Sequence, residues 1–317
     1  MKTLYATLLL TTTAFAALAL AQPLQSTASF GGDPNAQPFR RQGPGYGSGH
    51  RPSDDSASAK RSHLVYVITG GLEFGTLDLH SGTFLPIGPS LPPDVGQGLV
   101  RGPGKSVLSL AFSGNLVAID PVTGVTRVVG ATGLSDCSTQ TSPCGPHSAN
   151  VIGSLDGRLY ATDFANDLYS VNPVTGAARL IGPTGMPALT FIPFSTNADG
   201  TVNVYSESLF SARGKLYANF ATLTVDFATG TSKVVIPGAL YQINPETGHA
   251  RLIAPTDPNI TAAVNVNDII YGFDIALGEV VTINLTNGQT LPVTKVDSAA
   301  GGIAGATPAL PTPADRD

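Results

Sequence analysis

The chain has 317 residues, of which 12% are charged, with 36 Gly, 25 Pro, no Trp and a net charge of −5. An acidic balance without a basic surface disfavours a nucleic-acid partner, because binding to either DNA or RNA rests on neutralising phosphates. A charge-poor, Gly- and Pro-rich composition gives little support for long surface helices and leans toward short strands joined by turns.

Lys2 precedes an apolar run from Leu4 to Leu20, and Ala19-Leu20-Ala21 stands before Gln22 and Pro23. A charged start, an apolar centre and a small-residue cleavage site form the pattern of an export signal over residues 1–21, so the mature chain is expected to be secreted, extracellular or periplasmic. The run is at the short end for a membrane span and no second one follows, so no span is expected in the mature chain. Residues 22–61, with "GPGYGSGHRPSDDSASAK" at their core, carry almost no aliphatic side chains and read as a disordered linker. The linker ends in Lys60-Arg61, a dibasic pair that a eukaryotic secretory pathway could process. Residues 62–317 are long enough for one large domain with its own core.

Within that domain one frame recurs. Three stretches align without a gap: "NLVAIDPVTGVTRVVGATG" (115–133), "DLYSVNPVTGAARLIGPTG" (167–185) and "ALYQINPETGHARLIAPTD" (239–257). Looser copies stand at 74–90 and 278–296. Each copy predicts a β-hairpin: apolar alternation on both sides, an Asx residue that can bond the turn backbone, and a glycine that returns the chain. The Asx places are Asp78, Asp120, Asn172, Asn244 and Asn284; the glycine places are Gly82, Gly124, Gly176, Gly248 and Gly288. Upstream of three copies lie further strand pairs, "GSLDGRLYATDF" (153–164), "ARGKLYANF" (212–220) and "AVNVNDIIYGFD" (263–274). Each unit is therefore expected to be a four-stranded antiparallel meander, and tandem meanders of this length predict a β-propeller.

The Asx places step by 42, 52, 72 and 40 residues, which predicts five blades. A sixth weak match, Asp226 to Gly230, falls inside the long step and is expected as a hairpin inserted in the fourth blade, with six blades as the alternative. The first unit lacks an inner strand, and the small-residue run at 299–310 is expected to supply it and close the ring.

The frame Ala118, Asp120, Thr123, Gly124 resembles the quinoprotein-type propeller repeat, with Val128 at the tryptophan place. It is more similar to secreted propellers with YVTN-like repeats. That resemblance implies the fold; with no Trp in the chain it implies no quinone cofactor, and none is expected.

In such a fold the PVTG-type and LDG-type turns share one face, and the longer links at 89–98, 131–150, 183–200 and 255–264 share the other. Function on a rigid repeat scaffold usually sits where the loops vary. On that face Asp163, Asn166 and Asp167 occupy one link and Asp274 and Glu279 the matching link of another blade; together they could hold a hard cation such as Ca²⁺. His147 could serve as a ligand or general base. Cys137 and Cys144, six residues apart in an exported chain, are expected to form a loop-closing disulfide. Asn259-Ile260-Thr261 and Asn284-Leu285-Thr286 match the N-glycosylation acceptor pattern.

These features lead to one expectation and one alternative. The first is a monomeric, non-enzymatic propeller binding an extracellular glycan or protein, a glycan binder presenting aromatic platforms such as Tyr205 or Phe191. The second is a metal-assisted hydrolase of lactonase or glycosidase type, with Asp163, Asp167, Asp274 or Glu207 around a central-channel site.

Overall fold

The computed structural model describes residues 63–96, 98–137, 145–189, 196–226, 229, 231–297 and 302–309. The signal and linker segments, Lys60-Arg61, Phe191 and Cys144 lie outside them.

Twenty strands follow in chain order. They begin with β1 (Leu64–Thr69), β2 (Phe74–Asp78) and β3 (Phe84–Pro86), then β4 (Val100–Arg101), β5 (Val107–Leu110), β6 (Asn115–Ile119) and β7 (Thr126–Ala131). The next four are β8 (Ala149–Leu155), β9 (Arg158–Asp163), β10 (Asp167–Val171) and β11 (Ala178–Pro183). After them come β12 (Val202–Ala212), β13 (Lys215–Asp226), β14 (Thr231–Ile243) and β15 (Ala250–Pro255). The last are β16 (Ile260–Val266), β17 (Ile269–Asp274), β18 (Glu279–Ile283), β19 (Thr290–Lys295) and β20 (Ile303–Pro308). They form five four-stranded sheets; four are sequential meanders, and the first has the order β20-β1-β2-β3. The C-terminal strand thus supplies the inner strand of the first blade, its Ala306 paired with Val67, and the ring closes without an open inner edge.

The Asx turns form as the sequence chemistry requires. In blade 3 the Oδ1 of Asn172 accepts from the amides of Val174 and Thr175 at 2.8 and 3.1 Å, and the Gly176 amide donates to the Asn172 carbonyl at 2.9 Å. Asp78, Asp120 and Asn244 bond their own turns in the same way.

These turns also join the blades. Gly176 lies where an added Cβ would sit 2.5 Å from the carbonyl oxygen of Gly130, on the outer strand of the preceding blade. Gly248 meets Gly182 in the same way, Gly124 meets Ile87 and Gly88, Gly288 meets Pro255, and Gly82 meets Lys295 across the closure. The recurrent Thr-Gly therefore does two jobs: the glycine permits a positive φ and admits a neighbouring backbone.

Apolar clusters fill the wedges between blades. One joins Leu108, Leu110 and Leu116 to Ile152 and Leu159, and another joins Phe210 and Leu240 to Ile260 and Ile283. Toward the axis small residues let the inner strands approach: a Cβ on Gly305 would lie 2.9 Å from the Gly98 amide nitrogen.

Blade 4 departs from the regular pattern. Its strands β12, β13 and β14 have 11, 12 and 13 residues, against five to seven in most other strands. The match at Asp226 is thus no sixth blade and lies within the fourth, as the outer part of the β13–β14 hairpin: the two strands run continuously past the ring, paired from Leu216↔Ile243 out to Asp226↔Thr231 with irregularities at Phe220–Leu223. Val202, Val204, Leu223 and Val225 pack together in this extension.

Candidate functional site

Successive antiparallel strands reverse direction, so the link between β9 and β10, the loop entering β8 and the blade 4 extension all lie on the face opposite the Asx turns. A polar cluster forms there. Asp163 ends β9 and is fully buried. Its Oδ1 accepts the Asp167 amide at 2.8 Å, which fixes the tight link; the equivalent Asp274 ends β17 and accepts the Leu277 amide at 2.9 Å. Thr69, at the same place in blade 1, accepts the Glu73 amide at 3.1 Å through its hydroxyl. Capping this link is the shared role of the position.

Asp163 has further partners. Its Oδ2 lies 2.9 Å from Nδ1 of His147 and accepts the Tyr169 hydroxyl at 2.9 Å. Burial raises the Asp163 carboxyl pKa, opposed by its bonds to His147, Asp167 and Tyr169. The hydrogen bond to Asp163 raises the His147 imidazole, whose side chain is 61% exposed. Burial and the neighbouring Asp163 carboxylate raise the Tyr169 hydroxyl well above its ordinary range, so it stays a donor. Asp167 Oδ2 stands 3.9 Å from His147 Nδ1. His147, Asp163 and Asp167 offer ligand atoms within 4.8 Å of one another and could hold a cation.

The remaining candidates do not join that cluster. Asn166, in a left-handed turn at φ 61°, donates its side-chain amide to the Pro187 carbonyl. Asp274 and Glu279 belong to blade 5, where Glu279 pairs with Lys295 at 2.9 Å. Burial lifts the Asp274 carboxyl to about 6, with Asp257 and Glu279 adding repulsion.

One layer inward lies Glu207 on β12, fully buried. Asn150 donates its amide and Thr162 its hydroxyl, the latter at 2.8 Å, to the two carboxyl oxygens. Burial, with some repulsion from Asp163, moves the Glu207 carboxyl up to about 8. Alternation along β12 explains the placement: Tyr205, Glu207 and Leu209 face blade 3, while Ser206 faces blade 5 and bonds the Ile260 carbonyl.

One expectation changes here. Tyr205 is no exposed platform: it is 1% accessible, edge-on to Phe164 at 5.7 Å, in a cluster with Cys137. Phe164 from the β9–β10 link, with Phe112, Cys137 and Leu189, packs in the same cluster, which strand alternation alone could not reveal. A cavity at the centre of the ring, lined by all five blades including Gly98, Ile152, Glu207, Ala262 and Gly305, measures about 10 Å³, room for roughly one water molecule.

No protein-family model and no curated protein matches this sequence. Among solved structures it is similar to a chain from the nidogen/laminin complex, at 16% identity and TM-score 0.45, over 78% of this chain and 98% of that one. It is also similar to PQQ-bound aldose sugar dehydrogenase from Streptomyces coelicolor, at 13% identity and TM-score 0.39, over 70% and 86% of the two chains. BamB from Moraxella catarrhalis matches at 14% identity and TM-score 0.31, over 73% of each chain. By its own strand order the protein is an all-β, five-bladed β-propeller.

Proposed function

We propose that this protein is a secreted binding propeller that engages an extracellular protein through its variable-loop face at blades 3 and 4. The observation that carries the reading is the blade 4 extension, a sheet standing past the ring on the face that holds His147. Its β14 segment presents Val234 and Val235 at 44% and 46% exposure, beyond the stretch where β14 pairs with β15. Exposed apolar side chains on the same face as an exposed imidazole held by Asp163 suit a protein partner, whose apolar anchors and acidic groups would meet them. Tyr205, named as an example of an aromatic platform for a glycan, is buried.

The test uses the mature chain, immobilised and exposed to extracellular fluid of its source, with bound proteins identified by mass spectrometry and rebound in purified form. Wild type is expected to retain a partner that Val235→Asp and His147→Ala release. Identical binding by wild type and both variants would sink the proposal.

A further inference from the structure

The Asx-turn face, opposite the one that carries His147, holds a separate concavity. A cavity of about 450 Å³ opens at the end of blade 5, between its β16–β17 turn and its Asx turn, with the β12–β13 turn of blade 4 beside it. That volume lies within the range of small-ligand sites. Asn265 donates its side-chain amide to the Ser211 carbonyl at 3.0 Å, which holds the two inner turns side by side.

The lining is amphipathic. Ile269 and Leu291, 44% and 66% exposed, stand there with Leu285 and offer apolar area that an occupant would remove from water. Arg213 from blade 4 and Asp268 from blade 5 supply one charge of each sign. Both residues are exposed, and neither side chain forms an ion pair or hydrogen bond among the described residues. Opposite charges on adjoining turns that leave each other unpaired are available to a ligand that carries both. Gln289 adds an amide whose Oε1 accepts from Asn287 at 3.0 Å, leaving its nitrogen to donate.

The backbone supplies an independent observation. The second residue of the inner turn is Gly157 in blade 3 and Gly214 in blade 4, at φ 76° and 67°; blade 5 places Asp268 there at φ 65°. A side chain at positive φ is disfavoured relative to glycine. A carboxylate kept where the turn suits glycine points to a use for the carboxylate.

We propose that this groove binds a short peptide with free amino and carboxyl termini and an aliphatic side chain. Arg213 takes the terminal carboxylate, Asp268 the terminal ammonium, and Ile269, Leu285 and Leu291 meet the aliphatic group. The cavity has room for about 15 water molecules, more than a single amino acid fills. Its lining holds one cation, too few for a polyphosphate, and no aromatic ring on which a sugar would stack. The site lies on the face opposite the one proposed for a protein partner and does not depend on that reading.

The test is calorimetric titration of the mature chain with the tripeptide Ala-Leu-Ala, free, N-acetylated and C-amidated. The host is one that adds no N-glycans, because Asn284 borders the groove. Wild type is expected to bind the free tripeptide and to bind free leucine or either blocked form at least tenfold more weakly. Arg213→Ala should lose the preference for the free over the amidated peptide, and Asp268→Gly the preference for the free over the acetylated one. Asp268→Gly restores the glycine of the other inner turns and should melt no lower than wild type, so its lost binding is not lost structure. His147→Ala should leave binding unchanged. No binding by wild type, equal binding of free and blocked peptides, wild-type affinity in both groove variants, or leucine bound as tightly as the tripeptide would each overturn the proposal.

Discussion

His147 Nδ1 lies 2.9 Å from Asp163 Oδ2, joining an imidazole at the protein surface to a carboxylate with no exposure at all. The exposed ring is thereby oriented by a buried group that the Tyr169 hydroxyl and the Asp167 amide also hold in place. Such a carboxylate fixes both tautomer and ring direction and leaves Nε2 as the free end.

Replacing Asp163 by Asn is expected to lower the His147 titration midpoint toward its ordinary value, because the bond that raises it is lost. NMR of the imidazole protons over a pH series reads this directly. A midpoint unmoved by Asp163→Asn would mean that the pair does not form in solution. Tyr169→Phe removes one donor from the same buried oxygen and should destabilise the fold by about 1–2 kcal/mol in urea unfolding.

Glu207 makes stability depend on pH in a defined direction. Its carboxyl is raised from 4.5 to about 8, so the folded state binds the proton more tightly than the unfolded chain. The associated stabilisation is full below the ordinary value and is lost as pH rises through about 8. Asp274, raised to about 6, acts with the same sign over a lower window. In EDTA the melting midpoint is therefore expected to fall from about pH 5 to about pH 8. Glu207→Gln should flatten the upper part of that fall. An equally steep profile in the variant would assign the dependence to other groups.

The turn glycines separate two costs that a sequence alone cannot tell apart. Gly157 has φ 76° with nothing near an added Cβ, so Gly157→Ala should cost about 1–2 kcal/mol for the left-handed backbone. Gly176 has φ 80° and also meets the Gly130 backbone, which cannot swing aside as a flexible side chain could. Gly176→Ala should therefore be the more damaging by a further 1 kcal/mol or so, in the range of overpacking. Equal midpoints in denaturant would show that the blades part easily at this contact.

The two glycosylation patterns should behave differently when the chain passes through a eukaryotic secretory host. Asn284 is exposed in its turn, where the other Asx turns of blades 2 to 4 carry Pro at the next position and no hydroxyl residue two places on. In the second pattern Asn259 bonds Asp257 through its amide, Ile260 is fully buried, and the Thr261 hydroxyl donates to the Ile303 carbonyl at 2.6 Å. Peptide mass spectrometry before and after glycan removal is expected to find modification at Asn284 and none at Asn259. The reverse pattern would contradict the closed geometry around Asn259.

How much of this was legible in the sequence varies by level. The Asx and glycine positions could be read directly because turn chemistry is local: a side-chain oxygen reaching two amides and a residue tolerating positive φ need nothing from the rest of the chain. Blade number followed from their spacing, and closure by the C-terminal run followed from a missing partner. The fate of Asp226 was ambiguous, since a turn signal cannot say whether it ends a new blade or the lengthened strands of an old one.

The site was legible only in part. "TDFAND" marked Asp163 and Asp167, and His147 was singled out on its own, but their meeting depends on the loop entering β8 folding back over the β9–β10 link. Tyr169 stands in the repeat frame as one strand residue among others. Glu207 was named with Asp163, Asp167 and Asp274 as a carboxylate for a central-channel site, but its partners Asn150 and Thr162 gave no signal, because their convergence on one carboxyl joins three strands from two blades.

The sequence by itself determined the repeat, the turns and the count of blades, all set by interactions within a few residues. The tertiary structure decided which face of each strand meets which neighbour, and hence that Tyr205 is buried, that the channel is filled and that Glu207 lies within it. Those outcomes depend on how five wedges pack around one axis, a balance among residues far apart in sequence.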